Sequence, residues 1–277
     1  MTDSMKRREF LTGSLAATSL AATVGLGVSG LSQAAAAPPS AKQEFYELRV
    51  HRVASAEKQN LVSNYLQKAL APALNRMGVD RVGVFTVMDN PEQKAADLSI
   101  FTLIPYPTLE SFAQLNVRLA SDSDYQKAAA DYFAAPKDDP AYTRIQSRFM
   151  KAFAGMPVIE TPSQTAAGKP RMFELRTYES HNEDAALRKV DMFNSGEIQL
   201  MRDVKMAPVF FGEMLIGDDV PNLTYMLSAD DMNSHKEHWK AFLSHPEWDR
   251  MKKIPKYQGA VSKITKWFLV PTKYSQI

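Results

Sequence analysis

One six-residue strand pattern occurs twice in this chain. Tyr46-Glu47-Leu48-Arg49-Val50-His51 is answered 127 positions later by Phe173-Glu174-Leu175-Arg176-Thr177-Tyr178. Side chains alternate between the two faces of a strand. Each copy therefore carries an apolar face (Tyr46, Leu48, Val50; Phe173, Leu175, Thr177) and an ionisable or polar face (Glu47, Arg49, His51; Glu174, Arg176, Tyr178).

Further blocks align in the same order: Gly83 with Gly212, Asp97-Leu98 with Asn222-Leu223, Ser121–Tyr125 with Ser244–Trp248, and Ser147–Lys151 with Ser262–Lys266. The offset falls from 127 to 115, so the first half is the longer one. Matched blocks in one order are the signature of an internal duplication.

Each half reads as strand, helix, two strands, helix, strand. In the first, Ser55 caps a helical pattern that Pro72 is expected to kink or end near Ala71, and Pro105 is expected to close the third strand. In the second, a helix is expected from about Asn182 to Lys205, and a last strand from Ser262 to Val270. The stretch 161–170 lacks periodicity and reads as a linker. The expected fold class is α+β: two tandem ferredoxin-like (βαββαβ) domains, 44–160 and 171–277, whose sheets face each other in an intramolecular dimeric α/β-barrel. In that arrangement the ionisable strand faces are expected to point into the barrel interior.

Residues 1–36 read as an export leader. Lys6-Arg7-Arg8-Glu9-Phe10-Leu11 is a twin-arginine signature, followed by a weakly apolar stretch and the small-residue site Ala34-Ala35-Ala36-Ala37. The expected location is periplasmic or secreted, with no stable membrane anchor after cleavage. The formal net charge of +2 shows no basic footprint, so no nucleic-acid partner is expected. The absence of cysteine excludes disulfides, thiol nucleophiles and thiolate metal sites.

The repeated aromatic-Glu-Leu-Arg strand, the Gly83 and Gly212 strands, Trp239-x-x-Phe242-x-x-x-Pro246-x-Trp248 and Phe153-x-Gly155-Met156-Pro157 together resemble the NIPSNAP family, in its exported bacterial form with two tandem domains. The resemblance covers about Glu44 to Pro271. It implies the dimeric α/β-barrel fold, shared with small monooxygenases, haem-degrading enzymes and muconolactone isomerases, and no defined reaction or catalytic residues. In the first half Asn116 and Tyr125 stand where the second has Trp239 and Trp248.

The candidate ligand-pocket residues are Glu47, Arg49, His51, Glu174, Arg176, Tyr178, Tyr225, Trp239 and Trp248. The competing reading is that the Glu and Arg groups pair across strands and dock the sheets. His51 is the group there expected to exchange a proton near neutral pH. His235-x-x-His238 could offer two imidazoles to a metal, but a solvated helix surface is favoured and no metal is expected. Trp239, Phe242, Trp248 and Trp267 read chiefly as core. No G-x-S-x-G, P-loop, G-x-G-x-x-G or H-E-x-x-H occurs.

Two functions follow from different classes. One is a non-catalytic exported protein that binds a small molecule or a protein partner through the barrel interior. The other is a small-molecule enzyme of the barrel superfamily, a cofactor-light monooxygenase or isomerase. No cofactor is called for; haem, with His51 as axial ligand, is a weaker third reading. Assembly into a homo-oligomer stays open.

Overall fold

The structure, a computed structural model, describes residues 42–89 and 96–277. The leader and most of the Asp89-Asn90-Pro91 turn lie outside the described residues. The strands are β1 (Phe45–Arg52), β2 (Gly83–Val87), β3 (Ile100–Tyr106), β4 (Arg144–Ala152), β5 (Met172–Glu179), β6 (Ala207–Ile216), β7 (Asn222–Ala229) and β8 (Lys263–Pro271). They form one closed barrel in the order β1-β3-β2-β8-β5-β7-β6-β4, antiparallel throughout. The first four are adjacent as β2-β3-β1-β4 and the last four as β6-β7-β5-β8, the same relative order. The halves join through β2–β8 and β4–β6, so no strand edge is left open.

The helices of the first half are α1 (Ala56–Tyr65), α2 (Ala71–Arg76), α3 (Leu109–Ala113), α4 (Leu115–Ser121), α5 (Ser123–Ala128) and α6 (Ala130–Phe133). A short α7 (Ser163–Ala166) lies inside the stretch expected to be a featureless linker. The second half has α8 (Glu183–Met192), α9 (Ile198–Asp203), α10 (Met232–Leu243) and α11 (Pro246–Met251). Their starts are set locally. Ser55 and Asn182 accept the backbone N–H of Lys58 and Ala185, and Thr108 and Asp231 those of Ser111 and Ser234. No described helix is long and apolar enough to cross a membrane.

Neither long helix is uniform. A π-helical turn, Leu66–Leu70, joins α1 to α2; at the matching place Phe193–Glu197 joins α8 to α9 across a kink, with Gly196 at φ 153°. The helix thus continues past Pro72 instead of ending near Ala71. Gln199 stands at the place matching Pro72, and in the second half Gly196 marks the break instead. Pro105 likewise does not end β3: it sits opposite Tyr46, beyond the last residue that β2 pairs, where a missing N–H costs no second ladder bond.

The register also corrects the alignment of the halves. Leu48 faces Leu103 where Leu175 faces Met226, and Glu47 faces Phe149 where Glu174 faces Phe268. Phe149 therefore matches Phe268, and Thr102 matches Tyr225.

The barrel interior is the opposite of the expected one. A buried cluster drawn from all eight strands and from no helix fills it, including Tyr46, Leu48, Phe85, Phe101, Met150, Phe173, Leu175, Phe210, Met226 and Leu269. The apolar strand face points inward, and Glu47, Arg49, Glu174 and Arg176 lie on the outer face, under the helices. Packing inside is tight at Gly212, where an added Cβ lies 2.8 Å from the Met150 Cβ. Gly212→Ala is expected to cost about 1–3 kcal/mol through overpacking, read as a drop in the urea midpoint with an unchanged slope; an unchanged midpoint would show that Met150 can move aside.

Candidate functional site

The duplicated Glu-x-Arg pair builds two different environments. In the first half both residues lie on the outer face of β1, and the pairing runs along that strand rather than across strands. Arg49 Nε and Nη2 donate to the two Glu47 carboxylate oxygens at 2.9 and 3.0 Å. The Tyr106 hydroxyl from β3 donates to Glu47 Oε2 at 3.0 Å, and the Ser147 hydroxyl from β4 to Oε1 at 2.8 Å. Glu47 is 2% exposed and every lone-pair direction it needs is used. Burial alone would lower the Arg49 pKa; the Glu47 charge and bonds more than offset it and raise it. This corner is closed.

His51 lies on the same face, 1% exposed, edge-on to Tyr142 at 5.9 Å. Burial, and next the Arg49 charge, push its pKa down to about 3. It is therefore neutral at physiological pH and does not exchange protons there, contrary to the expectation from sequence.

In the second half Glu174 is again 2% exposed, but its partners differ. His235 Nε2 and Trp239 Nε1, both from α10, bond its Oε2 at 2.9 and 2.7 Å. Arg176 reaches Oε1 only at 3.6 Å, and its Nε is buried without a hydrogen-bond partner. Burial would raise the Glu174 pKa, but the His235 bond, the Arg176 charge and the Trp239 bond together hold it below the ordinary range. The Arg176 guanidinium lies over the Trp239 ring at 4.3 Å and the Tyr178 ring at 5.3 Å. The Tyr225 hydroxyl donates to that of Tyr178 at 2.8 Å, which leaves the Tyr178 proton free to be donated. Burial pushes both phenols up, so both stay protonated.

The same substitutions run through the register. His235 packs against Phe268 at 5.3 Å where Phe112 packs against Phe149 at 4.2 Å. Trp239 stands where the first half has Asn116. The second-half candidates Glu174, Arg176, Tyr178, Tyr225 and Trp239 thus meet in one place, with Trp248 reached through Phe242 at 4.8 Å. Glu47, Arg49 and His51 form the separate closed corner.

Sequence reasoning missed three members. His235 is not a solvated surface group: it is buried against Glu174, and its Nδ1 has no partner. Among the described residues no group of three metal-ligating side chains occurs. Lys189 and Glu197, 5% and 2% exposed, form a buried ion pair at 2.6 Å. Lys189 also lies 5.6 Å from the Tyr178 ring centroid and 5.7 Å from that of Trp248, which ties the pair to the same cluster. Aligning the halves over their helices would have exposed both, as charges at places where the first half has Val62 and Leu70.

Beside this cluster the surface of α10 carries an open depression of ≈ 520 Å³ lined by His235, Lys236, Trp239, Lys240, Leu243 and Ser244.

Comparison with curated protein sequences finds no match. Among solved structures, the chain is similar to a proposed monooxygenase from Lactobacillus acidophilus, at 11% identity over 83% of this chain and 94% of that one, TM-score 0.53. At that identity the likeness shows the fold alone. A NIPSNAP-like domain protein from Burkholderia xenovorans matches at 18% identity over 38% of this chain and 88% of its own, TM-score 0.35. A NIPSNAP family protein of unknown function from Agrobacterium tumefaciens matches at 16% identity over 38% and 92%, TM-score 0.35. Residues 173–276, which contain the open Glu174–Arg176 cluster, match the sequence model of the NIPSNAP family.

Proposed function

We propose that the second half binds a small aromatic anion at Arg176, in the seam between the outer face of β5 and β7 and the helices above it. The observation that carries this reading is the asymmetry of the duplicated pair. Arg49 spends its guanidinium on Glu47, whereas Arg176 holds its charge beside Glu174 with Nε unspent. An unspent buried donor is costly unless something accepts from it. The Tyr178 hydroxyl offers a second donor, Trp239 a flat aromatic wall, and Lys236 and Lys240 a cationic rim. A planar guanidinium matches the two oxygens of a carboxylate, and the aromatic wall favours a ring beside it. This reading replaces binding inside the barrel, which is filled by apolar side chains.

The halves are read here as tandem ferredoxin-like domains, 44–160 and 171–277, with the strand orders in support. Duplication leaves the first copy to hold the barrel closed and frees the second to bind. Residues 1–36 are proposed as a twin-arginine leader that delivers the folded protein to the periplasm or outside; replacing Arg7 and Arg8 by lysine should then retain the precursor in the cytoplasm.

The test of binding is thermal stabilisation by benzoate and salicylate, with benzamide as the neutral control. At a hundredfold excess over Kd a bound ligand adds about 2.7 kcal/mol. The carboxylates are expected to raise the Tm of the wild type and not that of Arg176→Ala. A shift of equal size in both proteins, or none in the wild type, ends the reading.

A catalytic reading is favoured by one further feature. Glu174 fixes His235 through Nε2 and leaves its buried Nδ1 free, as an orienting carboxylate does for a general base. Proton transfer on a bound acid, of the isomerase type, would show as deuterium exchange into the ligand that His235→Phe abolishes. Oxygenase chemistry rests on the likeness of fold to the proposed monooxygenase from Lactobacillus acidophilus, an analogy.

A further inference from the structure

The sheet brings a second cation to Arg176. On β8, Lys266 pairs directly with Arg176, as Ser147 on β4 pairs with Arg49. Residues opposite one another in a ladder have Cβ atoms about 5 Å apart and side chains on one face, so Lys266 stands on the outer face beside Arg176. Ser147 spends its hydroxyl on completing the bonding of Glu47. Lysine has no such use there, and like charges set directly opposite are destabilising. The first half shows that a small neutral residue serves the ladder at this place. Something other than strand pairing favours a cation in the second.

The acids of β5 are already engaged. Glu174 is shared by His235, Trp239 and Arg176, and Glu179 pairs with Lys263. Among the described residues Lys266 makes no ion pair, and its side chain is exposed. Its Nζ lies 5.8 Å from the centroid of the Phe268 ring, and the same ring meets His235 edge-on at 5.3 Å. His235 lines the α10 depression together with Trp239, over which Arg176 lies at 4.3 Å. The two cations thus approach one aromatic group, Arg176 at Trp239 and Lys266 at Phe268, with His235 between. Glu174 balances Arg176. Lys236 and Lys240 line the depression with no acidic side chain beside them, and Glu237 of α10 is outside that lining. With Lys266 added, the place holds more positive charge than a single carboxylate neutralises.

The geometry points to an aromatic dianion as the ligand: the Arg176 guanidinium takes one carboxylate, the Lys266 ammonium takes a second anionic group, and Trp239 is the wall for the ring. This deepens the reading of Arg176 given above and rests on it. Arginine offers a planar fork that orients a carboxylate. Lysine supplies a point charge on a flexible stem, which tolerates variation in where the second group sits. The first half is not built for such a ligand, since Arg49 is spent on Glu47 and Ser147 brings no charge.

The experiment is calorimetric titration with benzoate, phthalate, isophthalate and terephthalate. At least one dicarboxylate is expected to bind the wild type about tenfold or more tightly than benzoate, as one added contact between charged groups allows. That advantage is expected to shrink as salt is raised, because Lys266 is exposed. Lys266→Ser copies the first half; the affinity ratio is expected to fall toward one, with the Tm of the free protein no lower. Lys266→Arg keeps the charge and is expected to keep the preference. Lys127→Ser removes the same charge from α5 of the first half and is expected to keep it in full. A wild type that takes benzoate but prefers no dicarboxylate overturns the inference and leaves the reading of Arg176 standing. A preference that survives Lys266→Ser, or that Lys127→Ser abolishes equally, overturns it too. A preference undiminished in Arg176→Ala, or binding of none of the four acids, removes both.

Discussion

Arg49→Ala is expected to lower stability by about 3–5 kcal/mol, the usual result of stripping one partner from a buried ion pair. Glu47 would then be an anion 2% exposed, held only by the neutral hydroxyls of Tyr106 and Ser147. The matching change in the other half, Arg176→Ala, is expected to cost much less, about 1–2 kcal/mol. There Glu174 keeps its bonds from His235 and Trp239, and what is removed is one ion contact of 3.6 Å with the stacking of the guanidinium over Trp239 and Tyr178. Replacing Glu47 and Arg49 together by Leu and Met should cost less than the two single changes combined, because the desolvation of both charges is removed as well. Urea denaturation of these variants, together with Glu47→Leu and Arg49→Met alone, measures this. Equal losses at Arg49 and Arg176 would show that the two corners do the same structural job, and the asymmetry on which the binding reading rests would be gone.

Acid should unfold the protein earlier than its carboxylates alone require, and His51 is the reason. Its folded pKa of about 3 lies below the ordinary imidazole value of 6.5. The unfolded chain therefore takes up a proton that the folded chain refuses between those two values. The stability that the neutral, buried ring contributes is fully present above pH 6.5 and is lost as the pH falls toward 3. One proton corresponds to about 1.4 kcal/mol per pH unit, so the loss reaches about 2 kcal/mol at pH 5 and about 4–5 kcal/mol at pH 3. Glu174, with its pKa held below 4.5, adds to the loss only in the lower part of that range. From pH 7 to 5 the His51 contribution is read as the difference between the wild type and a His51 variant. Unfolding free energies of the wild type and His51→Gln across that window should diverge in slope by about 2 kcal/mol in total; parallel slopes would mean that the ring finds a way to charge without unfolding its surroundings.

Much of this molecule is legible in its residues. The repeated Glu-Leu-Arg strand, the caps at Ser55, Thr108, Asn182 and Asp231, and the order of strands and helices within each half all follow from local chemistry. The pattern also marked Glu174, Arg176, Tyr178, Tyr225, Trp239 and Trp248, but as one pocket inside the barrel together with Glu47, Arg49 and His51. It failed at the last strand, where matching Ser147 with Ser262 put the halves four residues out of register. A lysine-rich, alternating strand carries too little pattern to fix its own pairing, and only the ladder to β1 and β5 does so. It failed also at His235, Lys189 and Glu197, because a charge on a helix reads as solvated until the sheet that covers it is known.

The sequence by itself determined that each repeated strand has one apolar and one ionisable face. Only the tertiary structure decided which face meets which surroundings. In a closed barrel ringed by helices both faces are buried, so alternation leaves two solutions. The interior of the barrel is lined by apolar side chains from eight strands, and a carboxylate turned inward would lack the further donors that complete its bonding. The seam outside supplies the Tyr106 and Ser147 hydroxyls in one half and the His235 and Trp239 rings in the other. Glu47 and Glu174 accept from those donors, and the apolar faces fill the barrel.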